Sequence, residues 1–322
     1  MGIVQRWHSN MAGLIAASAL VACGGGGGGT PAAPAPAPIA ASPVEVGSPA
    51  LLGNVATDGM NWINFRRAQL GVPVLSRNAQ VDIAAQSHSE YQRANNTVAH
   101  EQISGRVGFT GVTLQDRLNA AGYTVPATGF AIGEIISAAT STSGHYLAEE
   151  LVTAIYHRFV MFEPKFKEIG VGSAVSSAGY NYLTTNFAAR GGYGPGLGRG
   201  KLVNWPIQGQ TGVTPNFLSD YEAPDPVPGR NEVGYPISVH ADIDVTLTVS
   251  SFTVRPRGGA DLAVKLMQRA TDPVTPTSAI AIIPLDVLRA GTTYDVTFIG
   301  TTTTTGQSDT AQLTRSWSFT TK

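Results

Sequence analysis

Three side chains carry most of the reactive potential of this sequence. His100 lies in Val98-Ala99-His100-Glu101, Glu134 in Ile132-Gly133-Glu134-Ile135-Ile136, and His157 opens His157-Arg158 ahead of Glu163-Pro164-Lys165-Phe166. Two imidazoles and a carboxylate are a usable donor set for a divalent metal, zinc above all, with a position left open for water. The same groups suit general acid–base chemistry. A hydrogen-bonded polar cluster that organises the core is the plainer alternative, and both readings stay open at this point. Other chemistries lack their residues: the sequence has no His-Glu-x-x-His, no Gly-x-Ser-x-Gly and no phosphate-cradling glycine loop. His88 falls on the apolar side of a predicted helix and reads as a satisfied core histidine, while His240 reads as structural.

The composition limits what these residues could serve. With Lys plus Arg at 21 against Asp plus Glu at 22, no electrostatic case exists for nucleic acid. Hydrophobic residues make up 43% of 322, enough to build cores for two ordinary domains. After residue 22 no apolar run is long enough to span a bilayer.

The only cysteine is Cys23, so no intramolecular disulfide can form. Arg6 stands without acidic neighbours before a short apolar stretch, Met11 to Ala22, too short to cross a membrane and suited to export. Leu20-Val21-Ala22-Cys23 then resembles a bacterial lipobox. That resemblance implies a signal peptide over residues 1–22 and an acylated Cys23 whose partner is the lipid bilayer. Gly24 rather than Asp follows the cysteine, which implies delivery to the outer membrane. Over residues 23–50, Cys23 is followed by six glycines and then mainly Pro and Ala, the composition of a tether that cannot bury a core.

Helical spacing covers Met60 to Gln69, with Thr57 or Asp58 as its expected N-cap, then Asn78 to Asn95, Leu114 to Ala121 and His145 to Phe162. Ile169 to Ala174 and Tyr180 to Ala188 read as strands. The mixed order predicts an α+β domain over 51–190. Residues 191–230, rich in Gly, Pro and Asp, are expected to form a linker. From 231 to 322 about seven short segments alternate or run apolar, which predicts an all-β sandwich.

The pieces of the first domain, taken together, resemble a bacterial member of the CAP superfamily, the group of cysteine-rich secretory, antigen 5 and pathogenesis-related proteins. They are Asn61 to Arg67, Asn78 to Tyr91, His100-Glu101, Arg117 to Tyr123, Gly133-Glu134, His157-Arg158, Pro164 to Gly172 and Tyr182 to Phe187. The resemblance implies a CAP-type α-β-α sandwich with a cleft holding two His and two Glu. His100, Glu134 and His157 match three of those positions. Glu149 and Glu150 compete for the fourth, and Glu150 is preferred because on a continuous helix it shares a face with His157 seven residues on. Leu151 to Tyr156 replaces the family's Ser-Pro-x-His stretch here. The C-terminal segment resembles a bacterial Ig-like domain closing on Trp317-Ser318-Phe319-Thr320-Thr321.

The resulting expectation is an extracytoplasmic, membrane-anchored protein that presents the His100, Glu134, Glu150, His157 cleft to a ligand or partner. Zinc or another divalent metal on His100, His157 and Glu134 is expected with it. A metal-dependent hydrolase acting on peptide or cell-wall material is the alternative.

Overall fold

The computed structural model describes residues 45–307 and 310–322; the expected signal peptide, Cys23 and most of the tether lie outside them. Helix α1 (Val55–Leu70) starts where the Asn54 side chain accepts the Thr57 N–H and stops at Gly71 in the left-handed region, so its N-cap lies before both Thr57 and Asp58. Asp58 instead turns back to hold the Leu52 and Gly53 N–H groups. A two-residue strand β1 (Ser76–Arg77) leads to α2 (Ala79–Asn95), capped by Asn78. A capping box of Thr113 and Asp116 opens α3 (Leu114–Ala120).

Strand β2 (Ala131–Ala139) precedes α4 (Gly144–Thr153) and α5 (Ile155–Met161). The sequence predicts one helix from 145 to 162. Ala154, at φ −70° and ψ 117°, breaks it in two. Strands β3 (Glu168–Val175) and β4 (Asn181–Ala189) complete a four-stranded sheet in the order β1-β3-β4-β2, with β1 parallel to β3 and the other pairs antiparallel.

Helices cover both faces of this sheet, as an α-β-α sandwich requires. The α2 face is very close. A Cβ on Gly170 would stand 2.2 Å from the Val81 carbonyl carbon, and one on Gly172 2.2 Å from Gln86 Cα. At that separation Asp82 Oδ1 accepts the Val171 N–H (2.8 Å), and the Gln86 amide accepts from Ser173 N (3.0 Å) while donating to Ser173 O (3.1 Å). The spacings agree: four helical residues rise about 6.0 Å, and two strand residues about 6.6 Å. On the other face Gly133 lies beneath Val160 of α5 and Phe166.

Residues 191–230, expected to be a linker, contribute β5 (Leu202–Trp205), β6 (Gln210–Val213) and β7 (Asn216–Leu218). The remaining strands are β8 (Glu232–Gly234), β9 (Ile237–Ala241), β10 (Val245–Pro256), β11 (Val264–Met267), β12 (Ala279–Pro284), β13 (Thr293–Thr304) and β14 (Thr310–Thr321). They form two four-stranded sheets, β10-β13-β14-β6 and β11-β12-β9-β5, with β7 and β8 paired separately. The expected linker is short because β5 and β6 are edge strands of these sheets, their apolar residues set between Gly and Pro turns.

One apolar core runs through both units. Trp205 of β5 packs on Phe162 (5.4 Å between ring centroids) and lies under the Arg66 guanidinium (5.3 Å), while His240 of β9 meets Phe159 and Phe162 edge-on. Among the described residues no helix is long and apolar enough to cross a membrane.

Candidate functional site

Glu134 lies in the middle of β2 with its side chain on the α2 side of the sheet, and it is 4% exposed. Both of its carboxylate oxygens are engaged. His100 Nδ1 donates to Oε1 (2.8 Å), and Arg117 Nη2 of α3 donates to Oε2 (2.7 Å). The Asn186 amide, oriented so that both of its polar atoms are satisfied, donates to Oε2 as well (2.9 Å). Burial alone would push this carboxyl up; Arg117, His88 and His100 together hold it well below the usual carboxylate range. Arg117 also donates to the His100 carbonyl (2.7 Å), so one buried guanidinium fixes both the acid and the backbone that carries its imidazole partner.

His88 stands next in this cluster. Its Nε2 lies 2.8 Å from the Ala99 carbonyl and its Nδ1 3.0 Å from the Gln102 amide nitrogen. A carbonyl takes a donor and an amide NH2 an acceptor, so the ring is neutral with its proton on Nε2. Burial pushes His88 down to about 4, in keeping with a satisfied core histidine.

His157 keeps different company. It is 2% exposed and belongs to α5, which packs on the opposite face of the sheet from Glu134. Its Nδ1 donates to Glu222 Oε1 (2.9 Å), and the same oxygen accepts the N–H groups of Tyr156 (2.7 Å) and His157 (3.1 Å). Ala154 provides no side-chain cap for α5, so Glu222, from the loop after β7, supplies it. Arg158 strengthens the junction: its Nε donates to Val152 O (2.6 Å), and its Nη1 donates to Pro236 O (2.7 Å) in the C-terminal unit.

Glu150 is exposed and accepts from the Tyr146 hydroxyl one turn back. The face it was expected to share with His157 does not exist, because Ala154 ends the helix between them. Glu149 is tied to α1, accepting from Trp62 Nε1 (2.7 Å) and Arg66 Nε (2.8 Å). The structure therefore brings together His100 and Glu134, adds His88, Arg117 and Asn186, and separates His157 and Glu150 from them. Arg117 and Glu222 are the important residues that motif spacing does not single out. For Arg117 the one available signal is its position at the start of Arg117 to Tyr123, and for Glu222 there is none.

A divalent metal does not fit these donors. Among the described residues no group of three or more His, Cys, Asp and Glu is placed to hold one. Both Glu134 oxygens are occupied by protein donors, and His157 hydrogen-bonds into a different unit. What the His100 cluster can do chemically is hold an ionised carboxylate and orient one imidazole, whose Nε2 has no partner.

Residues 60–187 match the model of the cysteine-rich secretory protein family, CAP. Similar solved structures include an extracellular protein containing an SCP domain from Bacillus anthracis, with 23% identity over 41% of this chain and 39% of that one, at a TM-score of 0.35. An outer surface protein from Borrelia burgdorferi is 14% identical over 41% of this chain and 89% of its own, TM-score 0.35. A cysteine-rich secretory protein from Staphylococcus aureus is 18% identical over 42% of this chain and 38% of its own, TM-score 0.30. This chain thus spans about two fifths of the length of the first and third. No curated protein matches it. The sheet with helices on both faces and the family match fall on the same stretch, and residues 60–187 are a CAP domain.

Proposed function

We propose that this chain is a membrane-tethered, extracytoplasmic binding protein. Residues 1–22 direct export, acylated Cys23 holds the chain at the outer membrane, and the Gly/Pro/Ala stretch sets the folded part away from the bilayer. The CAP domain and the two-sheet unit behind it, which we read as Ig-like, meet an extracytoplasmic ligand or partner as one body.

The observation that favours binding over turnover is the state of Glu134. A general base needs a free lone pair near the substrate, and a general acid needs a proton at working pH. Glu134 is buried, bound by three protein donors and held ionised, so it has no proton to give and no lone pair exposed to a substrate. Its task in this reading is to shape the surface above it. Two assays test the proposal. Cys23→Ser should release the protein from the membrane fraction. The purified chain should leave peptide and cell-wall substrates intact, with or without a chelator.

A general-base hydrolase is the second reading, and one observation favours it. His100 and His157 each have Nδ1 held by a carboxylate and Nε2 without a partner, the posture of a proton-accepting imidazole. Turnover that disappears in His100→Ala at unchanged thermal stability would establish this reading and sink the first.

A further inference from the structure

The chain between His100 and α3 has an unusual surface. Every residue from Ile103 to Phe109 is exposed, and the exposed set includes Ile103 (56%), Val107 (72%), Phe109 (37%) and, further on, Val112 (41%). Apolar side chains on an unconstrained loop would fold inward. Here the backbone is pinned with them facing out. The Tyr91 hydroxyl accepts the Ile103 N–H (2.8 Å), Asn95 Nδ2 donates to Val107 O (2.9 Å), and Gln102 Oε1 accepts the Thr110 N–H (2.7 Å). A Cβ on Gly108 would come 3.5 Å from Tyr91 Cα, so the loop sits directly on α2. Arg117, already holding Glu134, also donates to Val112 O (3.3 Å). The buried polar cluster is thus the footing of a rigid apolar loop.

We propose that this 103–112 loop docks into the interfacial region of an anionic phospholipid bilayer. Three features select that occupant. Four aliphatic or aromatic side chains on one short loop make a patch far smaller than the roughly 800 Å² that each partner buries in a stable protein complex, but large enough for interfacial insertion. Between Gln102 and Thr113 the only ionisable residue is Arg106, so the loop itself carries a cation and no acid. The third feature rests on the lipoprotein reading above: residues 23–44, fully extended, reach at most ~75 Å, which confines a chain anchored at Cys23 to the neighbourhood of the membrane and raises the effective concentration of a weak second contact.

The test uses the chain from residue 23 with Cys23→Ser, which cannot be acylated and retains every described element. It is floated with vesicles of phosphatidylcholine alone or with a quarter phosphatidylglycerol. Binding is expected to the anionic vesicles, to fall about tenfold or more in Val107→Ser/Phe109→Ser, and to lose its salt dependence in Arg106→Gln. Both variants should melt with the parent, since the altered side chains are exposed. Equal flotation of parent and double variant, or none by the parent, overturns the proposal. So does a concentration-dependent dimer that the double variant abolishes without vesicles, which would assign the loop to a second copy of the chain. Because the readout needs no acylation, a failed anchor shows up separately, as unchanged membrane retention in cells when Cys23→Ser is combined with Val107→Ser/Phe109→Ser.

Discussion

Glu222 caps the helix that carries His157 and holds the ring of that histidine with the same oxygen, 2.9 Å from Nδ1. A residue of the C-terminal unit therefore completes an element of the CAP domain. Glu222→Ala removes the cap and a buried carboxylate partner together. The expected cost is about 3 kcal/mol of unfolding free energy, read as a lower urea midpoint. A change under about 0.5 kcal/mol would show that the junction contributes little.

The shared core makes a second prediction. Trp205, Tyr235 and His240 pack against Phe162, Arg158 and Phe159, so the two units should unfold in one transition followed equally by far-ultraviolet circular dichroism and tryptophan fluorescence. A fragment ending at residue 190 would expose that surface and should bind a hydrophobic dye. Two separated transitions, or a well-dispersed NMR spectrum from the fragment, would show that the CAP domain stands alone.

Arg117 is the permanently charged group among those hydrogen-bonded to the Glu134 carboxylate. Arg117→Met leaves a buried carboxylate uncompensated and should cost about 3–5 kcal/mol. Adding Glu134→Leu to it should recover much of the loss, because no charge then remains to be solvated. If the two single losses simply add in the double variant, the pair is not coupled.

Acid should destabilise the protein in two stages. Burial pushes His88 down to about 4 and His240 down to about 3, whereas in the unfolded chain both protonate near pH 6.5. Between about pH 6.5 and pH 4 the unfolded state therefore binds more protons, and stability falls as the pH drops, by on the order of 1 kcal/mol per pH unit for each histidine. Glu134 acts in the same direction lower down. Its folded carboxyl sits below the usual range, so its contribution is present above about pH 4.3 and lost beneath it. Urea titrations at stepped pH should show the fall, with a shallower slope in His240→Gln. Equal slopes would remove His240 from the account.

Local signals made much of this legible in the sequence. Asn78, Thr113 and Gly71 punctuate helices where helical spacing places them, and the strands after Pro164 follow their apolar pattern. The break at Ala154 was not legible, because it carries neither Gly nor Pro; it depends on a carboxylate that arrives from Glu222, 68 positions later. Strands β5 to β7 were hidden for a related reason, since they are short edges whose partners lie far along the chain. At the site, residue types were readable but partners were not. His100 found Glu134 across the fold, while His157 found Glu222 instead, and only packing decides such a choice.

The side chains of Asp82 and Gln86, set against β3, have a consequence for what happens when two copies of this protein meet. The outer rim of a sheet is a template on which a neighbouring molecule could lay down its own backbone, and a row of copies could then grow into a fibre. Here a helix impersonates the missing neighbour, filling the Val171 and Ser173 positions with a carboxylate and an amide. The seal is chemical as well as steric. Copies that collide at this rim find the Val171 N–H and both backbone groups of Ser173 already taken.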